Sequence, residues 1–276
     1  MLKSSLFTGI MLVKLIILVS CSSTRKKNEE RSQIFFSAGT QALIDQNYTQ
    51  ALTNLIKANE LSPNNPEILT NLAMAYYFKG EEDIAVKQLK QVIKIDSKNS
   101  DARLNLGSIY YKNGNHLAAE KLYKEVLKHL TYDKQARTFY NLGVLELETK
   151  KDLAAAESYF TKAVKEDENY CPAYFKLGLI NMNRQKFKTA LKNFRNSTMG
   201  TCVDNAIAHY HQALTLIQLK QFTQARIKLD EIENKFKNTV YAVKAKSKIL
   251  ELNELEIYKT SNEEHAAGKL LQNNEF

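Results

Sequence analysis

Residues 66–99 read PEILTNLAMAYYFKGEEDIAVKQLKQVIKIDSKN, and these 34 residues hold two apolar-periodic runs parted by Gly80. Leu72 and Ala73 stand in the first run, and Ala85 and Leu89 in the second. Gly80 falls where the chain must reverse between them, and positive φ is least costly for glycine. The stretch reads as two helical runs with a turn between them.

The same unit recurs on both sides of it. An alanine column runs Ala51, Ala85, Ala119, Ala156, Ala190 and Ala225, with spacings of 34, 34, 37, 34 and 35 residues. A second small-residue column runs Gly39, Ala73, Gly107, Gly143, Gly178 and Ala213. Leu72, Leu106, Leu142 and Leu177 precede the small residue, while Leu55, Leu89, Tyr123, Phe160, Phe194 and Leu229 follow the alanines. Self-similarity at this period marks a repeat array, in which each unit buries its apolar face against the next. Gly114 repeats the turn of Gly80, and Pro63 closes the first unit.

These columns resemble the tetratricopeptide family. The resemblance covers residues 32–239 and implies an all-α, right-handed superhelical solenoid of six helix-turn-helix repeats: 32–65, 66–99, 100–133, 136–170, 171–203 and 206–239. The last is the least typical, with Gln212 where others have an aliphatic residue or alanine. Val240–Tyr258 has helical spacing of Val243, Ile249, Leu250, Leu252 and Leu255, and is expected to cap the array. Residues 259–276 read as a polar, flexible tail.

Composition agrees with this reading. Hydrophobic residues make up 44% of the chain, enough to bury a core, while 9 Gly and 3 Pro among 276 residues are too few for many short strands. The formal charge of +9 would point to nucleic acid if the basic residues formed a patch. Segments such as KQLKQVIKIDSKN, 87–99, interleave Lys with Asp instead, and solvated helix faces are the expectation throughout. No nucleic acid, small-molecule substrate or cofactor is expected.

The N-terminus carries different information. Leu6–Val19 is mostly apolar, broken by Lys14, and at this length is too short to span a bilayer, so residues 1–20 read as a signal peptide. Leu18, Val19 and Ser20 before Cys21 resemble the lipobox of bacterial lipoproteins. That resemblance implies cleavage after Ser20 and a diacylglycerol on Cys21, leaving a net charge of +7. Each buried methylene contributes about 0.8 kcal/mol, so two or three acyl chains hold a protein on a membrane durably. Met11 is an alternative start that gives the same Cys21. Ser22 in place of aspartate favours the outer membrane, and Ser22–Arg31 reads as a flexible tether.

In the tetratricopeptide family the first helix of each repeat lines the inner surface. Positions five, nine and twelve give Phe36, Thr40, Leu43; Thr70, Met74, Tyr77; Leu104, Ser108, Tyr111; Tyr140, Val144, Leu147; Phe175, Leu179, Met182; and Tyr210, Leu214, Ile217. Phe36, Met74, Tyr77, Tyr111 and Tyr140 are the candidate contacts for a protein partner. An apolar stripe suits a peptide with hydrophobic side chains, and the same residues could instead pack one repeat on the next. The lysine and asparagine pattern that clamps a terminal carboxylate in chaperone-binding relatives is missing from positions five and nine.

No motif for catalysis or metal binding stands out. His209 and His211, two apart on a helix, face different ways. Cys171 opens the first helix of the fifth repeat and Cys202 follows its second, so antiparallel packing brings them together. In an exported chain a disulfide between them is permitted, the alternative being two buried free thiols, and a loop of this length would stabilise by roughly 3–4 kcal/mol.

The lengthened junction LTYDKQARTFYNLGVLELETKK, 130–151, resembles the middle of the pilotin lipoproteins of type IV pilus systems. Tyr132, Arg137, Phe139, Asn141, Leu142, Gly143, Lys150 and Lys151 match, and Tyr159, Phe160 and Lys162 do so after a one-residue insertion. The resemblance implies a non-enzymatic scaffold at the periplasmic face of the outer membrane that binds secretin subunits and supports their assembly. A generic lipoprotein adaptor that docks proteases or cell-wall hydrolases would share all but this middle signature.

Overall fold

The computed structural model describes residues 25–254. The signal segment 1–20, Cys21 and the tail 259–276 lie outside the described residues, as do the last residues of the expected capping helix. Among the described residues there are helices and no strand. The chain divides into two compact units, Met1–Tyr132 and Asp133–Phe276, and the division falls within the lengthened junction.

In the first unit α1 (25–44) pairs with α2 (Tyr48–Leu61), α3 (Pro66–Phe78) with α4 (Glu82–Ile95), and α5 (Ser100–Lys112) with α6 (His116–Val126). The second holds α7 (Gln135–Leu145) with α8 (Leu153–Glu166), α9 (Cys171–Asn183) with α10 (Phe187–Asn196), and α11 (Ala206–Gln218) with α12 (Phe222–Lys235); α13 covers 240–254. Asn47, Asn65, Asn99, Asn115, Asp152 and Asn205 each accept a backbone N–H of the helix that follows. Side-chain caps of this kind contribute about 1 kcal/mol each.

The two sequence columns meet inside each pair. Gly107 lies beneath the Tyr123 ring, Gly143 beneath Phe160 and Gly178 beneath Phe194, so close that a Cβ there would fall 2.5–2.6 Å from the nearest ring carbon. Where the column carries Ala73 or Ala213, the facing residue is the smaller Leu89 or Leu229, and each couple shares one buried cluster. In these five pairs the larger residue faces glycine and the smaller faces alanine, as close packing favours, whereas the first pair sets Gly39 against Leu55, with a Cβ there 2.6 Å from Leu55 Cγ. Tyr123, Phe160 and Phe194 are the largest fully buried side chains, each contributing about 1.5–3 kcal/mol by its removal from water.

Each pair also turns through one left-handed residue: Gln46, Gly80, Gly114, Lys151, Gln185 and Lys220, with φ between 58° and 89°. All six stand five residues before the alanine column. The spacing from small column to alanine is 12 residues in every pair but the fourth, where Gly143 to Ala156 is 13. The extra residue is taken up by a π-helical turn, Glu146–Lys150, after which Lys151 reverses the chain. A single insertion that would rotate every later side chain is absorbed locally by such a turn.

Two expectations change. The tether predicted over Ser22–Arg31 is helical from residue 25, continuous with α1 and carrying an Arg25–Glu29 ion pair at 3.0 Å. Its low hydrophobicity is compatible with helix because Ser32 anchors the stretch, donating to the Ala58 carbonyl at 2.8 Å. In α13 the buried residues are Ala242, Ala245 and Leu252, with Ile249 packed beside them, whereas Val243 and Leu250 are exposed. Small alanines let α13 approach the α11–α12 pair, and that choice of face turns half of the expected stripe outward.

Candidate protein-binding face

In the first unit Phe36, Met74, Tyr77 and Tyr111 stand at corresponding positions of α1, α3 and α5, and all four are half-buried. Phe36 rests on a cluster of Ala42, Ala51, Leu55, Leu72 and Ala75. Tyr77 packs on the α3–α5 core, its ring 5.3 Å from Lys112 Nζ. The Tyr111 ring lies 5.4 Å from His116. Neighbouring first helices are tied by Asn71, whose Nδ2 donates to Thr40 Oγ1 at 2.9 Å. Two positions expected on this face are withdrawn from it. Leu104 is fully buried, and Thr70 is 3% exposed with its hydroxyl donating to the Pro66 carbonyl at 2.6 Å.

In the second unit Tyr140 is surrounded by rings, with centroids 5.6 Å from Phe160 and 5.7 Å from Tyr170. Burial, reinforced by Glu148, pushes the Tyr140 hydroxyl above its ordinary value, and burial pushes Tyr170 up to about 12. Both phenols stay neutral across physiological pH. Tyr140 therefore packs its own unit first and offers only its remaining edge to a partner. His211 sits 5.5 Å from Phe175 and 5.4 Å from Phe194, and burial lowers its pKa. His209 instead contacts the Val203 carbonyl through Nε2 at 2.9 Å and packs on Phe236. Its pKa is lowered as well, chiefly by burial.

Cys171 and Cys202 are joined in a disulfide with a Cα–Cα distance of 6.4 Å. The bond ties the start of α9 to the turn beyond α10, at the open end of the fifth pair. Neither α9 nor α10 has a side-chain N-cap bond, so this is the pair with least local support.

The expectation of mixed charge in every helix fails here. Between Glu168 and Asp204 the chain carries Lys176, Arg184, Lys186, Lys188, Lys192 and Arg195 and no acidic residue. Lys176 and Arg184 are neutralised by Glu148 and Glu157 of the preceding pair. Lys186, Lys188, Lys192 and Arg195 are exposed and make no ion pair among the described residues. The signal is legible in the sequence as an acid-free run.

Comparison with known proteins matches these pairs. Family models described as tetratricopeptide repeat and TPR repeat match residues 100–165, 44–80 and 74–114. The fold is a tetratricopeptide solenoid. The solved structure of pilF from Pseudomonas aeruginosa superposes with a TM-score of 0.66 at 19% identity, covering 80% of this chain and 99% of that one. PilW, described as a widely conserved type IV pilus biogenesis factor, gives 0.62 at 17% identity over 76% of this chain and 96% of its own. A chain of the APC/C hetero-tetramer Cut9–Hcn1 scores 0.65, so superposition by itself speaks only for the solenoid. In sequence, the chain is 27% identical over 146 residues to the type IV pilus assembly protein PilF of Pseudomonas aeruginosa. That match takes in 53% of this chain and spans 58% of the relative's length. No helix of the described residues is long and apolar enough to cross a membrane.

Proposed function

We propose that this tetratricopeptide protein is a lipid-anchored scaffold of the pilotin kind, which binds secretin subunits and supports their assembly at the periplasmic face of the outer membrane. The sequence relation to a type IV pilus assembly protein carries the reading. Half-buried Phe36, Met74, Tyr77 and Tyr111 supply an apolar, adaptable face of the first unit for a partner segment, and the edge that Tyr140 leaves open is a contact of the second unit taken by itself. Cys21 supplies the anchor, so the lipid sets the destination and the helical array holds the cargo. Positions five and nine of the first helices lack the lysines and asparagines of a carboxylate clamp, which favours side-chain contact over recognition of a chain terminus.

The test is the fate of the secretin in the native host. Deletion of the gene is expected to abolish secretin multimers in the outer-membrane fraction. Cys21→Ala is expected to leave the protein folded but the multimers misplaced. The pair Met74→Glu and Tyr77→Glu is expected to reduce secretin crosslinking at least about tenfold by placing charge in an apolar contact. Normal multimers in the deletion strain, with proteases or cell-wall hydrolases recovered by crosslinking, would sink the pilotin reading in favour of a general adaptor.

A further inference from the structure

The second unit carries a groove lined by none of the stripe positions of its first helices. It lies over α11 between α10 and α12, with a volume of about 260 Å³, and is lined by Leu191, Arg195, Gln212, Leu216, Gln224, Ile227 and Lys228. Its floor is Leu191 and Leu216, which form a small buried cluster with Ala225 beneath them. Its wall is Ile227, an aliphatic side chain left 64% exposed in the middle of a helix. Gln212, the residue that departs from the repeat pattern, brings an amide into the floor with Nε2 donating to Thr198 at 3.4 Å.

The rim is cationic on one side. Arg195 lines the groove, and Lys192 and Lys188 stand three and seven residues before it, on the same helical face. Across the groove Lys228 is already held by Glu231 at 2.8 Å, so the uncompensated charge lies along α10. A furrow with an apolar floor and one basic bank is complementary to a narrow chain bearing an apolar stripe beside carboxylates. A flat anionic membrane meets the basic bank but cannot follow the floor.

From this arrangement we infer that the α10–α12 groove is a second docking site, for an acidic amphipathic segment of a protein partner. The site shares no residue with the first-helix face, and it stands or falls independently of the pilotin reading.

A fluorescein-labelled helical peptide with leucines on one face and glutamates flanking them is the probe, titrated by fluorescence anisotropy against the full chain. Saturable binding that weakens with added salt is expected. The triple variant Lys188→Glu, Lys192→Glu, Arg195→Glu should weaken it at least about tenfold. Ile227→Ser should weaken it without changing its salt dependence, and Met74→Glu with Tyr77→Glu should leave it intact. Circular dichroism of the triple variant reports its folding, and Lys188→Gln, Lys192→Gln, Arg195→Gln replaces it if charge reversal unfolds the protein. The inference is overturned if a peptide with lysines for glutamates binds equally well, or if the charge variants bind as the native chain does. It is equally overturned if the glutamate peptide fails to bind while phosphatidylglycerol vesicles are held through the same three residues.

Discussion

The second and fifth helix pairs share one plan and are held together differently. In the second, Asn65 caps α3, Gly80 makes the turn, and Ala73 meets Leu89. Its α4 runs for 14 residues with Glu82, Asp83, Lys87, Lys90 and Lys94 of both signs. In the fifth, neither helix has a side-chain cap, Gln185 makes the turn in a left-handed conformation, and Gly178 meets Phe194. Its α10 is only 10 residues long and purely basic. The period therefore fixes where helices start and reverse, while the stabilising devices are interchangeable: local capping in one pair, a large buried ring and a covalent staple in the other. Repeat arrays permit this because each unit contacts only its neighbours.

Removing the staple tests that account most severely. Cys171→Ser with Cys202→Ser, or reduction of the native chain, is expected to lower stability by about 3–4 kcal/mol for a loop of this size. The effect should be confined to α9 and α10, read as faster amide exchange there than in α3 and α4. Equal loss of protection in both pairs, or none in either, would show that the fifth pair does not depend on its cross-link.

Exchanging the packing solution is the next test. Gly178→Ala alone sets a methyl against the Phe194 ring and is expected to cost about 1–3 kcal/mol. Phe194→Leu alone leaves a cavity beside a glycine and should cost a similar amount. The double variant recreates the Ala73–Leu89 couple of the second pair. It is expected to be more stable than the sum of the singles by about 0.5–3 kcal/mol in urea denaturation. Strict additivity would mean that the two positions do not answer to one shared volume.

How far this was legible in the sequence depends on what each residue type reveals. The columns of alanine, small residue and large residue were plain because packing admits only a narrow range of side-chain size at each. The turn column was half visible. Gly80 and Gly114 announce positive φ, whereas Gln46, Lys151, Gln185 and Lys220 adopt it without any compositional sign. The π turn showed only as a spacing anomaly, since an inserted residue does not say whether it lengthens a loop or bulges a helix. On the first-helix face, periodicity placed Phe36, Met74, Tyr77 and Tyr111 together but could not tell that Leu104 and Thr70 would be drawn inward. That outcome depends on how adjacent first helices approach, which no single repeat encodes. In α13 the apolar residues covered more than one face, and the alanines decided which face docked.

The smallest expected effect concerns the turn and isolates the backbone from all packing. A residue with a side chain in the left-handed region costs roughly 1–2 kcal/mol relative to one without. Glycine avoids that cost but loses about 0.4–1 kcal/mol through the greater freedom of its unfolded chain. Gln185→Gly is therefore expected to stabilise the fifth pair by about 0.5 kcal/mol, the small difference between those terms. The reciprocal change, Gly80→Gln, should destabilise the second pair by a similar amount. A Cβ at Gly80 would meet nothing within 4 Å, so no clash adds to the backbone term. Opposite signs at the two turns, measured by urea denaturation, would establish that they are one structural position filled in two ways. A loss of stability in both variants would mean instead that Gln185 makes a favourable contact of its own, and that the fifth pair has adapted its turn as well as its core.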